Sequence, residues 1–146
     1  MSIEASRVST TINAPPAKVW ATLMSPASFK QFFFGSDVAT DWKVGSPITF
    51  SGEWKGKPYQ DKGVVKAADA GKRLAFTHWS PLSGMEDTPE NYHIVSFDLT
   101  PSGSGTNVVL TQVNQNDAEP LTADNRAEYD KNWTMVLAGL KKAAEA

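Results

Sequence analysis

The last quarter of the chain carries one apolar stripe, and that stripe limits the folds open to it. Tyr129, Trp133, Val136, Leu137 and Leu140 fall at i, i+4, i+7, i+8 and i+11, which is the spacing of one face of an α-helix. Lys131, Asn132, Lys141 and Lys142 lie off the stripe. The spacing predicts a helix of about 20 residues, roughly 30 Å long. Asn125 followed by Glu128 resembles a capping box with asparagine in the cap position. Gly139 borders the stripe, where a neighbouring backbone has room to come close. A helix striped in this way must be laid against another apolar surface.

The rest of the chain supplies that surface as strands. Val8, Thr10 and Ile12 alternate with Arg7, Ser9 and Thr11, which predicts a strand from Glu4 to Ile12. Pro15 and Pro16 suit the first turn of a helix carrying Val19, Trp20 and Leu23. Ser25 and Pro26 end it and start a second short helix with Phe29 and Phe32. From Ser36 to Gln115 the pattern is strand, turn, strand, with turn signals at 45–47, 55–58, 70–71 and 102–105. Ile48, Phe50, Gly52 and Trp54 share a face. So do Leu74, Phe76 and His78, and likewise His93, Val95, Phe97 and Leu99. One wet face and one buried face give this alternation, as antiparallel meanders commonly do. Val108, Val109 and Leu110 are contiguous and leave the strand near 108–114 without a clear parity. The predicted class is α+β: about seven strands in one antiparallel sheet, two short helices after the first strand, and the long helix last.

Length and composition set outer bounds. A chain of 146 residues suits one domain, expected to span 1–146. With 40% apolar and 21% charged residues it is neither a disordered nor a membrane composition. The net charge of -2 gives no general drive toward nucleic acid or an anionic membrane, and neither is expected as a partner. Without cysteine, disulfides, thiolate metal sites and cysteine nucleophiles are excluded. The first residues hold no apolar run of signal-peptide length, and no segment reaches the ~20 apolar residues that span a bilayer. A cytoplasmic protein, monomeric or homodimeric, is the expectation.

Several stretches together resemble the START-like (SRPBCC) superfamily, and within it the homologues of the heat shock protein 90 ATPase activator's C-terminal domain. Ile12-Asn13-Ala14-Pro15 through Val19-Trp20 resembles the family's first strand entering its first helix. Asp41-Trp42-Lys43-Val44-Gly45 resembles its W-x-x-G turn. Gly63-Val64-Val65, then Arg73-Leu74-Ala75-Phe76-Thr77, resembles its glycine-containing strand and the strand that follows. Val95 to Leu99, Gly105-Thr106 and Trp133 continue the match over nearly the whole chain. The resemblance implies a helix-grip fold, in which a curved sheet wraps around the long C-terminal helix. It also implies a setting in stress response and a chaperone as a candidate partner. The superfamily hosts lipid carriers, cyclases, hydroxylase subunits and chaperone cofactors, so the fold constrains function weakly.

Five Trp, seven Phe and three Tyr are many aromatic rings for this length. Trp54, Phe76, Phe97, Tyr129, Trp133 and Leu137 would point between the long helix and the sheet. Either they fill a solid core, or they line a cavity for an apolar or aromatic small molecule. His78 and His93 flank the 81–92 connection almost symmetrically and on antiparallel neighbours would approach each other on the apolar face. Such a pair binds a metal or a ligand, acts as acid and base in a cyclase- or hydrolase-like site, or is two separate structural histidines. No Asp or Glu is assigned to their face, since Glu53 and Asp98 have the opposite parity. Residues 81–92 form the longest connection, a candidate lid or a solvated hairpin tip. Lys55, Lys57, Lys62, Lys66, Lys72 and Arg73 read as solvated surface. Phosphate-loop, nucleophile-elbow, zinc-helix and calcium-loop motifs are absent, and no cofactor or metal is expected.

Overall fold

The computed structural model describes residues 3–83, 85–115 and 122–146. Its elements follow in the order β1 (Ile3–Ile12), α1 (Pro16–Met24), α2 (Pro26–Phe32), β2 (Asp37–Ala39), β3 (Pro47–Trp54), β4 (Lys57–Asp69), β5 (Arg73–His78), β6 (His93–Ser102), β7 (Gly105–Asn114) and α3 (Ala123–Glu145). Seven strands form one curved antiparallel sheet in the order β1-β7-β6-β5-β4-β3-β2, so the first strand closes on the last. The α+β helix-grip architecture is therefore present, with α3 seated in the sheet.

The turns have local causes. Lys55 and Gly56 both have positive φ, 51° and 77°, and join the paired residues Trp54 and Lys57. Two such residues make the tight hairpin whose twist matches that of the strands. Ser25 caps α2 by accepting from Ser28 N–H at 3.4 Å, as its sequence position predicts. The long helix starts elsewhere than expected. Thr122, not Asn125, is its N-cap, and the Thr122 hydroxyl accepts from the Asn125 N–H at 3.1 Å. Asn125 is thus the donor of the capping bond, because the helix begins two residues before it at Ala123.

Alternation gives the sheet its apolar face. Ile48, Phe50, Val65, Leu74, Phe76, Val95, Phe97, Val108 and Leu110 are all fully buried there. The β7 parity left open by the contiguous apolar run is settled by Thr106, Val108, Leu110, Gln112 and Asn114, which turn inward. From α3, Trp133, Val136, Leu137, Leu140 and Ala144 pack on this face. Burying each large side chain stabilises by roughly 1.5–3 kcal/mol, and this packing, more than helix propensity, holds α3 helical. α3 rests on β1, α1 and α2 rather than on the middle of the sheet. Gly139 makes the α2 contact possible: a Cβ there would sit 2.9 Å from the Phe32 Cβ. Polar clamps fix the two ends of α3. Ser6 donates to Asp130 at 2.5 Å, Asn13 N–H donates to Glu145 at 2.8 Å, and Lys141 donates to the Thr11 carbonyl at 3.0 Å.

The α2 rings continue the core toward the other edge of the sheet. Phe29 stacks on Phe33 and Phe50 at centroid distances of 4.9 and 5.9 Å, and Trp42 closes on it at 6.1 Å. With α3 biased to one edge and α2 to the other, the sheet's apolar face is filled in its centre and left uncovered at one end.

Candidate functional site

That uncovered end is a cleft of about 380 Å³ between α2, α3 and the strands. Phe33 and Phe34 follow α2. Glu53, Tyr59, Asp61, His78, His93 and Gln112 come from β3 to β7, and Tyr129, Asn132 and Trp133 from the first half of α3. Ser36 and Leu82 complete the wall.

The polar groups of the wall are connected in a determinate way. Trp133 Nε1 only donates, and it lies 2.8 Å from Gln112 Oε1, which fixes the orientation of the Gln112 amide. Gln112 Nε2 therefore donates, to Asn114 Oδ1 at 2.9 Å and to His93 Nδ1 at 3.2 Å. His93 is thereby set as the tautomer protonated on Nε2. On the neighbouring strand His78 is the register partner of His93. Its Nε2 lies 2.9 Å from Asp61 Oδ2, so neutral His78 also carries its proton on Nε2. An imidazole oriented by a part-buried carboxylate is the arrangement that acid–base chemistry uses, and equally one that holds a polar ligand group. The other Asp61 oxygen, Oδ1, is buried without a hydrogen-bond partner among the described residues. His78 packs edge-on to Phe50 at 5.2 Å, and His93 to Tyr129 at 6.4 Å. Among the described residues no group of three or more His, Asp or Glu is placed to hold a metal.

The sequence-derived candidates divide in two. His78, His93, Tyr129 and Trp133 come together in the cleft. Phe76, Phe97 and Leu137 lie in the core, with exposures of 0%, 0% and 2%, and do not line it. Trp54 ends β3 at the hairpin, and its side chain is outside the described residues. One expectation needs correction: the histidine face does hold an acid. Tyr59, Asp61, Gly63 and Val65 alternate inward along β4, which places Asp61 beside His78. Glu53 also lines the cleft, although alternation assigns it to the other face. The signal for Asp61 was its parity with buried Val65, and the signal for Gln112 its parity with Leu110.

The 81–92 connection touches both faces of the sheet. Leu82 lines the cleft, whereas Asp87, Pro89 and Tyr92 line a second cavity of about 430 Å³ with Lys62, Val64, Lys66 and Thr77. Its anchor is a Lys62–Asp87 ion pair and a Tyr92–Asp87 hydrogen bond, with Tyr92 stacked on Trp79 at 6.2 Å. Lys62 and then the Tyr92 hydroxyl hold the Asp87 carboxyl below its usual 3.8. Burial, followed by the bond to Asp87, pushes Tyr92 up to about 12. The signs are opposite. The Asp87 contribution is present above pH 3.8 and lost as pH falls through its lowered value. That of Tyr92 is complete below pH 10.0 and lost as pH rises through about 12. In an alkaline absorbance titration of the three tyrosines, one is expected to ionise near pH 12, and earlier in Asp87→Ala. An unchanged titration in that variant would contradict the anchor.

Comparison with known proteins places this geometry. A profile of the family described as Activator of Hsp90 ATPase homolog 1-like protein matches residues 13–145. The chain belongs to that family. The family is one of the START-like (SRPBCC) superfamily, as the motifs around Trp42, Gly63 and Arg73 imply. Among solved structures, ChR145 from Cytophaga hutchinsonii is 42% identical with a TM-score of 0.78, over 97% of this chain and 92% of that one. The Aha1 dimer from Colwellia psychrerythraea is 23% identical with a TM-score of 0.71, over 99% and 96%. CV1439 from Chromobacterium violaceum is 20% identical with a TM-score of 0.73, over 99% and 97%. The last two bear on the fold alone. No curated protein matches the chain. No helix among its described residues is long and apolar enough to cross a membrane.

Proposed function

We propose that this Aha1-like chain binds a small apolar or aromatic molecule in the cleft between α3 and the sheet. The observation that supports this most is the contrast between two regions of one apolar face. In the core Phe50, Phe76, Phe97 and Leu137 are buried against one another and their neighbours. At the end of that face, Phe33, Phe34, Tyr59, Tyr129 and Trp133 instead surround about 380 Å³, with a few fixed polar groups among them. Small-molecule sites are built in this way and fall in this size range. Phe34 adds a second sign. It stands at the wall with φ of 54° and 52% of its surface exposed, a conformation that costs a bulky residue roughly 1–3 kcal/mol. Backbone strain of that kind gathers at ligand clamps.

The test is a screen of aromatic small molecules by tryptophan fluorescence, repeated on Asn132→Trp. Asn132 lines the cleft from α3 without belonging to the core, so the larger ring fills the cleft and leaves the packing intact. Binding to the native chain is expected, with at least about tenfold weaker binding to the variant. Equal affinity in a folded variant would remove the cleft as the site.

A second reading is a protein-interaction module acting on a chaperone ATPase, and the family description favours it. It is expected to show as stimulation of heat shock protein 90 ATP hydrolysis by the purified chain. No stimulation at saturating chain would leave the ligand reading alone.

A further inference from the structure

We infer that the cleft selects an organic cation, an ammonium group carried on a small apolar or aromatic body. This rests on the reading of the cleft as a ligand site and names the class of ligand.

Charge comes first. The wall holds two carboxylates, Glu53 and Asp61, and among the described residues no lysine or arginine. Lys55 and Lys57, nearest in the chain at the β3–β4 turn, do not line it. An anionic ligand would be repelled by these carboxylates, above all by the part-buried Asp61, which solvent screens less than the exposed Glu53.

The hydrogen-bond inventory points the same way. Most donors of the wall are already engaged inside the protein: Trp133 Nε1 with Gln112, the Gln112 amide with Asn114 and His93, and His78 Nε2 with Asp61. The Ser36 and Tyr59 hydroxyls bond each other at 3.2 Å. Asn132 can both donate and accept. What the wall lacks, among the described residues, is a donor for Asp61 Oδ1. Asp61 Oδ2 accepts from His78 Nε2–H, and Oδ1 is buried with no hydrogen-bond partner among the described residues. Buried carboxylate oxygens left unpaired are costly, and a turn of the Asp61 carboxylate toward the cleft lets a ligand N–H supply the missing donor. An ammonium supplies the donor and the charge together.

The rings supply the remainder. Phe33 and Phe34 stand 5.9 and 6.2 Å from Trp133, and Tyr59 and Tyr129 face the same space. The π-faces of such rings attract a cation and are neutral or repulsive toward an anion.

Three probes of nearly one shape decide the matter by calorimetry at neutral pH: phenethylamine, protonated; 2-phenylethanol, neutral; and 3-phenylpropionate, anionic. The amine is expected to bind at least about tenfold tighter than the other two. In Asp61→Asn that preference is expected to vanish, while affinity for the alcohol changes less than about threefold. Should Asp61→Asn fail to fold, Glu53→Gln at the wall is expected to reduce the amine's advantage in part. If the alcohol or the propionate binds as tightly as the amine, the cation inference falls and the ligand site stands. If none of the three binds at millimolar concentration, both fall.

Discussion

Replacing Gly63 with alanine is expected to leave the chain without a stable fold. Gly63 sits in β4 opposite Ile48, with Thr77 of β5 on its other side. A Cβ built there falls 1.7 Å from the Thr77 carbonyl oxygen and 2.5 Å from its carbon. Both are backbone atoms in the middle of a sheet, so no rotamer change relieves the overlap. Separating the strands breaks the bond from Val64 N–H to the Thr77 hydroxyl at 2.8 Å, and the two backbone bonds between Lys62 and Trp79. It also displaces His78, the next residue along β5. The cost is expected to exceed about 4 kcal/mol, a large part of a domain's whole stability. Circular dichroism and urea unfolding of the purified variant measure it. A cooperative transition within about 1 kcal/mol of the native chain would contradict the close approach.

Gln112→Leu is the second large effect. The side chain is almost completely buried, at 1% exposure, and joins β7 to α3 and to the neighbouring strand β6. Leucine fills similar space but leaves the Trp133 indole N–H, the Asn114 carbonyl and the His93 Nδ1 without this partner. An orphaned buried polar group costs about 1–3 kcal/mol, so a loss of about 3 kcal/mol is expected in urea unfolding. Removing the matching donor restores part of it: Gln112→Leu with Trp133→Phe is expected to lose less than the two single changes added together. Strict additivity would show that the indole bond carries no coupling energy.

The same two residues show what the sequence reveals and where it stops. The helix stripe from Tyr129 to Leu140 and the alternation of β3, β5 and β6 are repetitive signals, each made by several side chains meeting one condition, and they led to the architecture. Gly63 announces a close approach but not to what, since its partner Thr77 lies on a different strand. Gln112 shares the parity of Leu110, but the contiguous Val108, Val109 and Leu110 blur which parity of the strand is inward, so that signal alone does not mark it as buried. The histidine pair was legible because strand parity and the symmetric 81–92 connection bring His78 and His93 opposite each other. Asp61 was not, because the inward set of β4 changes from apolar Val65 to polar Asp61 and Tyr59 as the strand leaves the core for the cleft. Phe76, Phe97 and Leu137 share their faces with cleft residues. Only the placement of α3 toward β1 and of α2 toward β2 separates core from cleft, and that is set by tertiary packing such as Gly139 on Phe32. The helix cap shifted from Asn125 to Thr122 for a simpler reason: both residue types cap well, and local sequence does not rank them.

The most direct test of the ligand site is an NMR titration of the isotopically labelled chain with phenethylamine and 2-phenylethanol. The Trp133 indole N–H gives its own signal, and the amides of Asp61, His78, His93 and Asn132 surround the cleft. These signals are expected to move together along one saturation curve, while those of Val64, Lys66 and Gln115 at the other cavity stay in place. A Trp133 signal that does not move, with shifts centred on Val64, Lys66 and Gln115 instead, would contradict the account.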